Sequence, residues 1–279
     1  MSAVAAPSRA DVMAQAGTEN FPVASRLLPR RLGGHLLAIY GFARLVDDLG
    51  DEAPGDRRAL LDWAEEELDR IYAGNEPEHA IMRRLAPTVH DCALPSGPFR
   101  RLIAANRRDQ EVSRYETFDE LMAYCGLSAA PVGELVLHVF GAATRERVAL
   151  SDAICAGLQV TEHLQDVRED FARGRVYVPR EDLERFGCAE ADLAGPAATP
   201  RLRAVIAFEA VRARDLLATG AALTRVLAPR ARFAVAGFVA GGRAALDGLG
   251  RAGWDPMANS AGRTRRDFAA AYLRSAVGR

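Results

Sequence analysis

The sequence predicts an all-α fold, a single helical bundle, and three observations support this prediction. Apolar residues recur along nearly every segment at the three- and four-residue spacing that gives a helix one buried face. Alternating apolar and polar runs, which would indicate strands, are almost absent, and Val176–Val178 is the only short candidate. The helical segments are separated by clusters rich in Pro and Gly, at Ala53–Gly55, Pro95–Pro98, Gly187–Pro200 and Gly250–Pro256.

One helix can be bounded at both ends from the sequence. Asp56 is a suitable N-cap for a helix over Arg57–Ala73, because its carboxylate can accept hydrogen bonds from the free N–H groups of the first turn. Gly74 is placed to end this helix. Further helices are expected near residues 34–49, 97–114, 118–141, 146–171, 201–226, 229–250 and 262–276.

Length and composition favour one domain. The 279 residues are 49% hydrophobic and show no composition shift, so we expect one domain over residues 1–279 with a flexible N-terminus over residues 1–16. Uncharged apolar runs such as Phe233–Gly242 are too short to span a bilayer. The four cysteines are widely spaced without a C-x-x-C pair, which is typical of free thiols in a cytoplasmic protein. The net charge of −1 gives no electrostatic case for nucleic acid as a partner.

The first candidate site is a group of acids at the end of an apolar helix. The cluster Asp47, Asp48, Asp51 and Glu52 follows the segment His35–Val46, which is apolar almost all round apart from Arg44. Residues three and four apart lie on one helix face, so Asp47 and Asp51 project together with Asp48 beside them. Because the preceding helix has the pattern of a buried one, we expect these carboxylates to face a cavity.

The second candidate site is a ladder of oxygen-bearing side chains further along the chain. Asp166 and Asp170 are four residues apart, and Glu162 and Gln159 continue the same helix face towards the N-terminus. Mg²⁺ prefers carboxylate and water oxygens and usually completes its octahedron with substrate phosphate, so two such ladders predict a magnesium–diphosphate site.

Either cluster alone has a plain alternative. An acidic pair at this spacing is commonly a solvated helix face, and Asp170 could simply pair with Arg173 or Arg168. Two clusters flanked by apolar helix are harder to explain by stability, because carboxylates that share a cavity repel each other and lose hydration.

Four motifs, in this order, resemble the squalene/phytoene synthase family over roughly residues 19–275. Other prenyl-diphosphate enzymes share the D-D-x-x-D, whereas a D-x-x-x-D that runs into G-R-x-Y-x-P is similar to this family. The resemblance implies an isoprenoid-synthase-type helical bundle with a central cavity. The motifs are A-I-Y-G-F-A-R-L-V-D-D-L-G-D-E (38–52), R-R-D-Q-E-V-S-R-Y-E-T-F-D-E-L-M-A-Y-C (107–125), P-V-G-E-L-V-L (131–137) and L-Q-V-T-E-H-L-Q-D-V-R-E-D-F-A-R-G-R-V-Y-V-P (158–179).

The resemblance also implies roles for matching residues. The positions that match the two Mg²⁺-binding aspartate motifs are Asp47, Asp48, Asp51, Asp166 and Asp170. Glu162 stands where the family usually has a metal-binding Asn, and its carboxylate can still bind Mg²⁺. Substrate contacts are expected from Arg44 and Arg175 at the diphosphate, and from Tyr40, Phe42, Gln159 and Tyr177. Direct catalytic roles are expected for Tyr124, Arg44, Asp47 and Asp166, although Arg44 alone would suit a structural ion pair and Tyr124 a core aromatic.

Two further runs resemble the hydroxysqualene synthase branch of bacterial hopanoid biosynthesis, namely E-N-F-P-V-A-S-R-L-L-P (19–29) and S-A-A-P-V-G-E (128–134). The resemblance implies that presqualene diphosphate and water give hydroxysqualene and diphosphate, with Mg²⁺ and without NADPH. Condensing members often carry Ser, His and Lys where Gly17–Phe21 stands here, and the acidic Glu19 is a poor phosphate ligand. This difference favours a substrate with one diphosphate.

Three alternatives stay open at this point. The chain could condense two prenyl diphosphates to presqualene diphosphate or phytoene, or be a non-catalytic relative that keeps only the fold. The C-terminal segment Arg263–Arg279 places arginines beside Phe268 and Tyr272, so it either closes the bundle as a helix or rests on an anionic membrane surface. The oligomeric state is not predicted.

Overall fold

The computed structural model describes residues 29–257, and every regular element in this range is a helix. The all-α prediction is confirmed. A short 3₁₀ helix lies at Glu190–Ala194. The α-helices are α1 (Arg30–Asp51), α2 (Arg57–Tyr72), α3 (Ala80–Asp91), α4 (Ser96–Asp109), α5 (Phe118–Ser128), α6 (Ala130–Val139), α7 (Arg145–Gln165), α8 (Val167–Ala172), α9 (Arg180–Arg185), α10 (Pro200–Gly220), α11 (Leu223–Val226) and α12 (Pro229–Arg251).

Some predictions fall on residues outside this range. They are the flexible N-terminus over residues 1–16, the helix near residues 262–276, and the inference that Glu19 is a poor phosphate ligand. The two alternatives for Arg263–Arg279, a helix that closes the bundle or a segment that rests on a membrane, also lie there. Each of them stays a prediction.

The two ends of α2 follow the sequence prediction. The Asp56 carboxylate accepts hydrogen bonds from the backbone N–H groups of Arg58 at 3.0 Å and Ala59 at 3.1 Å, which satisfies two donors of the first turn. At the other end Gly74 has a φ of +77°, a left-handed conformation that ends helices and that residues with a Cβ rarely adopt.

Several boundaries differ from the prediction. The helices expected near 118–141, 146–171 and 201–226 are each divided in two, and α3 was not predicted. The short strand candidate at Val176–Val178 is not a strand, since Val176 forms an isolated bridge with Arg114. Backbone hydrogen bonds join the two segments again after Pro179, from Arg180 N to Tyr115 O at 2.9 Å, but they form no regular ladder.

Residues 29–111 and 127–148 form a first compact unit. In this unit α1 packs against α2, α3, α4 and α6, because the face of α1 that carries Ile39, Phe42 and Val46 is fully apolar and buried. Phe42 meets Phe99 of α4 edge to face, with ring centroids 4.9 Å apart. This packing anchors α1, the helix that carries the first acidic cluster at its C-terminal end.

Residues 112–126 and 149–257 form a second compact unit. Here α12 packs against α10 and α11, and α9 packs against α10. Helices α7 and α10 pack closely at Gly157 of α7 and Gly220 of α10. We call this pair of glycines the glycine seam. A Cβ at Gly220 would lie 2.7 Å from the backbone oxygen of Leu150, and a Cβ at Gly157 would lie 3.0 Å from that of Ala213. The prediction of a single domain over residues 1–279 stays a prediction.

One helical stretch within residues 29–257, Phe118–Val139, is long and apolar enough to cross a membrane by length and composition alone. Half of its most apolar window is buried inside the protein, and core helices of soluble proteins have the same character, so the stretch is weak evidence for a span. The search for uncharged runs missed it because Asp119, Glu120 and Glu134 interrupt the apolar sequence.

A buried ionic group lies in the second unit. Arg212 Nη1 lies 2.6 Å from Asp182 Oδ2 and 2.8 Å from Glu209 Oε1, and the two acidic side chains are only 2% and 1% exposed. The Arg212 guanidinium also lies over the rings of Phe118 and Phe208, at 4.3 and 4.5 Å from their centroids. Arg212 therefore balances charge that water cannot reach.

Stability should fall as the pH rises because of Glu209. Burial, with a hydrogen bond to Asp182, raises the pKa of Glu209 from 4.5 to about 8. A carboxyl with a raised folded-state pKa stabilises the fold fully below the unfolded value, and this contribution is lost as the pH rises through about 8. We expect the thermal midpoint to decline between pH 5 and about 9.

In Glu209→Gln the side chain stays neutral, so the decline should be shallower when followed by circular dichroism. The exposed Glu66→Gln is the control and should follow the wild type. Parallel curves for all three proteins would contradict the assignment.

Candidate functional site

The first acidic cluster occupies the last turn of α1, a helix with no basic residue in that turn. Asp47 is open to solvent, Asp48 is buried and Asp51 is half-buried. Carboxylates at a helix C-terminus face the negative end of the helix dipole, so this arrangement opposes folding stability. The acids therefore fit a cation-binding role better than a structural one.

Charge and burial both act on Asp47. The surrounding protein raises the pKa of Asp47 to about 7, although the carboxylate keeps contact with solvent, and the neighbouring charge of Asp51 raises the pKa further. Arg44 and a hydrogen bond from Asn106 oppose this rise. The Asn106 Nδ2 group donates to Asp47 Oδ1 over 3.0 Å. A bound cation would relieve the repulsion between Asp47 and Asp51, which adds to the larger effect of lost hydration.

Arg44 lies within the same cluster, one turn before Asp48. Its Nη2 atom lies 2.7 Å from Asp48 Oδ1 and 3.2 Å from Glu52 Oε1. Burial raises the pKa of Asp48 in spite of this positive neighbour. The ion pair is the plain alternative foreseen for Arg44, and the metal-binding role of Asp48 stays a prediction.

The second acidic cluster lies where α7 meets α8. Asp166 separates the two helices, yet helical hydrogen bonds continue through it, from Asp166 N to Glu162 O at 2.9 Å and from Asp170 N to Asp166 O at 2.8 Å. The spacing expected of the ladder is therefore kept. Asp166 is exposed to solvent on one side, but the surrounding protein partly removes its hydration and raises its pKa to about 6, and the charges of Asp170 and Glu169 add to the rise.

Asp170 does not form the ion pair with Arg173 that the sequence suggested as an alternative. Arg173 instead pairs with Glu169 at 2.8 Å. The half-buried Asp170 has the ring of His163 beside it, with His163 Nδ1 3.7 Å from Asp170 Oδ2. His163 was not predicted, because a lone His on a helix carries no signal without its partners.

An aromatic group adjoins His163 in the second unit. The rings of His163 and Tyr177 stack at 3.7 Å with an interplanar angle of 12°. Tyr177 also stacks on Tyr124 at 5.7 Å and on Tyr115 at 5.8 Å. The structure thus brings Tyr124 and Tyr177 together. Tyr115 was missed, although it lies inside the motif 107–125 that was noted.

The remaining candidates are placed as follows. Tyr40, Gln159, Glu162 and Arg175 are half-buried. Phe42 is a fully buried core residue of the first unit, so the structure supports packing as its role and shows no solvent-facing surface for substrate.

Within residues 29–257 no three His, Cys, Asp or Glu side chains converge on a point that could hold a metal ion by themselves. Mg²⁺ commonly takes only one or two carboxylates from the protein and completes its shell with water and substrate phosphate. Loss of hydration chiefly raises the pKa values of Asp47 and Asp166, and neighbouring carboxylates add to the rise, so a cation bound there would be favoured. The residues fit Mg²⁺ held together with a diphosphate.

Comparison with known proteins identifies the family. The chain is 39% identical to the hydroxysqualene synthase of Rhodopseudomonas palustris over 72% of this chain and 69% of that protein. It is 34% identical to the phytoene synthase of Mycobacterium tuberculosis over 72% and 67%. The crystal structure of squalene synthase HpnC from Alicyclobacillus acidocaldarius superposes with a TM-score of 0.81 at 45% identity, over 88% and 93% of the two chains. The family model named squalene/phytoene synthase matches residues 14–269, and the chain belongs to that family.

Proposed function

We propose that this protein converts presqualene diphosphate and water into hydroxysqualene and diphosphate, as a Mg²⁺-dependent enzyme that needs no NADPH. The observation that carries the proposal is the sequence similarity of this chain to a hydroxysqualene synthase, at 39% identity over 72% of its length. Both aspartate motifs are present, and the crowded carboxylates of Asp47 and Asp166 support a functional rather than a structural role. Hopanoid biosynthesis is the pathway that such a product would serve, and we propose a cytoplasmic location.

The proposed reaction starts with departure of the diphosphate. Bound Mg²⁺ would neutralise negative charge that develops on the leaving group. The residues that match the two aspartate motifs, among them Asp47, Asp51, Asp166 and Asp170, would supply its carboxylate oxygens. Arg44 would act beside them, because a guanidinium has five N–H donors and can keep Asp48 while it binds a phosphate oxygen.

The substrate cation must then be stabilised until water adds to it. Stacked aromatic faces suit this task, since each can contribute on the order of 1–2 kcal/mol to a desolvated cation. Tyr124 and Tyr177 supply such faces in the second unit, with Tyr115 packed against both. Their burial keeps these rings away from bulk water.

A second candidate function is favoured by the phytoene synthase relative. The chain would then join two prenyl diphosphates head to head, to presqualene diphosphate or phytoene. The same aspartate motifs would serve either reaction, so the site residues of the described range do not separate the two.

Product analysis separates the candidates. Purified protein is incubated with Mg²⁺ and presqualene diphosphate, with and without NADPH, and the products are analysed by mass spectrometry. We expect hydroxysqualene in both cases and no product after chelation with EDTA. Consumption of farnesyl or geranylgeranyl diphosphate in a parallel tube, with presqualene diphosphate left unchanged, would overturn the proposal in favour of the condensing reaction.

A further inference from the structure

We infer that Asn106 of α4 is a positioning residue for Asp47, and that Gly50 of α1 provides the space in which Asn106 does so. The inference deepens the proposed function and depends on its assignment of Asp47 to cation binding. It concerns only the first unit. Gly50 lies within the motif at residues 38–52 and Asn106 lies just before the motif at residues 107–125, but neither was a candidate site residue.

The contacts of Asn106 hold its amide in one orientation. The side chain is only 6% exposed. Its Nδ2 group donates to Asp47 Oδ1 over 3.0 Å and to the backbone oxygen of Leu102 over 3.3 Å. A buried amide with two acceptors has little freedom to turn, and a carboxylate held through one oxygen has a fixed plane. Asn106 thereby sets the direction of the second oxygen of Asp47.

The charge of the group that donates to each aspartate matters as much as its position. Asp48 is held by the cation Arg44, which offsets the charge of that carboxylate. Asn106 is neutral, so it orients Asp47 without placing a positive charge beside it that would compete with a bound cation. This is the arrangement that a cation ligand needs, because Mg²⁺ tolerates little deviation from octahedral geometry.

Gly50 gives independent support for the same arrangement. Gly inside a helix costs about 0.5–1 kcal/mol relative to Ala, so its presence in the last turn of α1 needs a reason. A Cβ at Gly50 would lie 2.3 Å from Asn106 Oδ1 and 3.0 Å from its Cγ. Any larger residue would therefore turn the amide away from Asp47.

Gln110 fixes the spacing of the two helices at the same level. Its Nε2 group donates to the backbone oxygen of Gly50 over 3.0 Å and to that of Asn106 over 3.0 Å. The approach of α4 to α1 is thus maintained by a contact that does not involve the Asp47 carboxylate. Loss of the Asn106 amide should leave this approach in place.

Two variants test the inference by different routes. Asn106→Ala deletes the donor, and Gly50→Ala displaces it by steric contact. Gly34→Ala is the matched control on α1, since a Cβ there would meet no atom within 4 Å. Binding of Mn²⁺ in the presence of inorganic diphosphate is measured by electron paramagnetic resonance, without prenyl substrate. The Mg²⁺ concentration that gives half-maximal turnover is measured separately.

We expect both test variants to bind Mn²⁺ about 10-fold or more weakly and to need correspondingly more Mg²⁺, as found when a partner of a metal ligand is removed. Gly34→Ala should match the wild type. Unchanged Mn²⁺ affinity in a folded Asn106→Ala protein would overturn the inference, and so would unfolding of both variants, which would show a structural role. If the wild type binds Mn²⁺ with diphosphate but makes no hydroxysqualene, the proposed reaction is refuted. The Mn²⁺ affinities of the wild type and the variants still decide the role of Asn106 in that case.

Discussion

Asp47→Asn should reduce turnover about 100- to 1000-fold, the range seen when one group that stabilises transition-state charge is removed. The substitution keeps the shape and the acceptor oxygen that Asn106 contacts, but it removes the negative charge. Because the surrounding protein and the charge of Asp51 already disfavour that charge, the thermal midpoint should stay the same or rise slightly. Steady-state kinetics at saturating Mg²⁺ and a thermal melt are the two measurements.

The same substitution at Asp166 should behave alike, because burial and Asp170 act on it in the same direction. Asp56→Asn is the control, since Asn is as good an N-cap as Asp and the residue belongs to neither motif. Activity close to that of the wild type in either motif variant would remove that aspartate from the assigned site. A large loss of stability would instead indicate a structural role.

Arg212→Met should destabilise the protein by about 3 kcal/mol, a typical cost of removing one partner from a buried ion pair. The change leaves Asp182 and Glu209 nearly fully buried without a positive neighbour. It also removes the contacts of the guanidinium with two phenylalanine rings. For a chain of this size the thermal midpoint should fall by roughly 6–12 °C.

Arg180→Met is the matched control for that experiment. Arg180 also pairs with two acids, Glu116 and Glu184, but all three side chains are more than half exposed. Solvent-exposed pairs contribute little, so its midpoint should change by only about 1–2 °C. Equal losses in the two arginine variants would show that burial of the carboxylates is not what makes Arg212 important.

The sequence predicted correctly those helix ends that are set by residues within one turn of the end. The cap at Asp56 and the stop at Gly74 were found because each acts within one turn of its own helix. Helix α3 was missed because Pro87 lies inside it and no side chain caps its start. Burial of Ile81 and Leu85 stabilises it in spite of those features, and packing of that kind cannot be seen from a local pattern.

In the candidate site too, residues close in sequence were predicted and contacts between distant residues were missed. The aspartate pairs were predicted because residues four apart share a helix face, and the hydrogen bonds through Asp166 keep that spacing. Asn106 was not predicted, because it is 59 residues from Asp47 and meets it only through the packing of two helices. His163 was missed for a related reason, since its importance comes from the ring of Tyr177 beyond the end of its helix.

The glycine seam has a consequence for how this chain tolerates sequence change. At Gly157 and Gly220 an added methyl group would meet backbone oxygen atoms, which cannot turn aside as a side chain can. Saturation mutagenesis scored only by product formation would therefore rank these two positions beside the aspartates. Scoring cellular abundance as well would separate them, because seam variants would be depleted as proteins while aspartate variants would accumulate in inactive form.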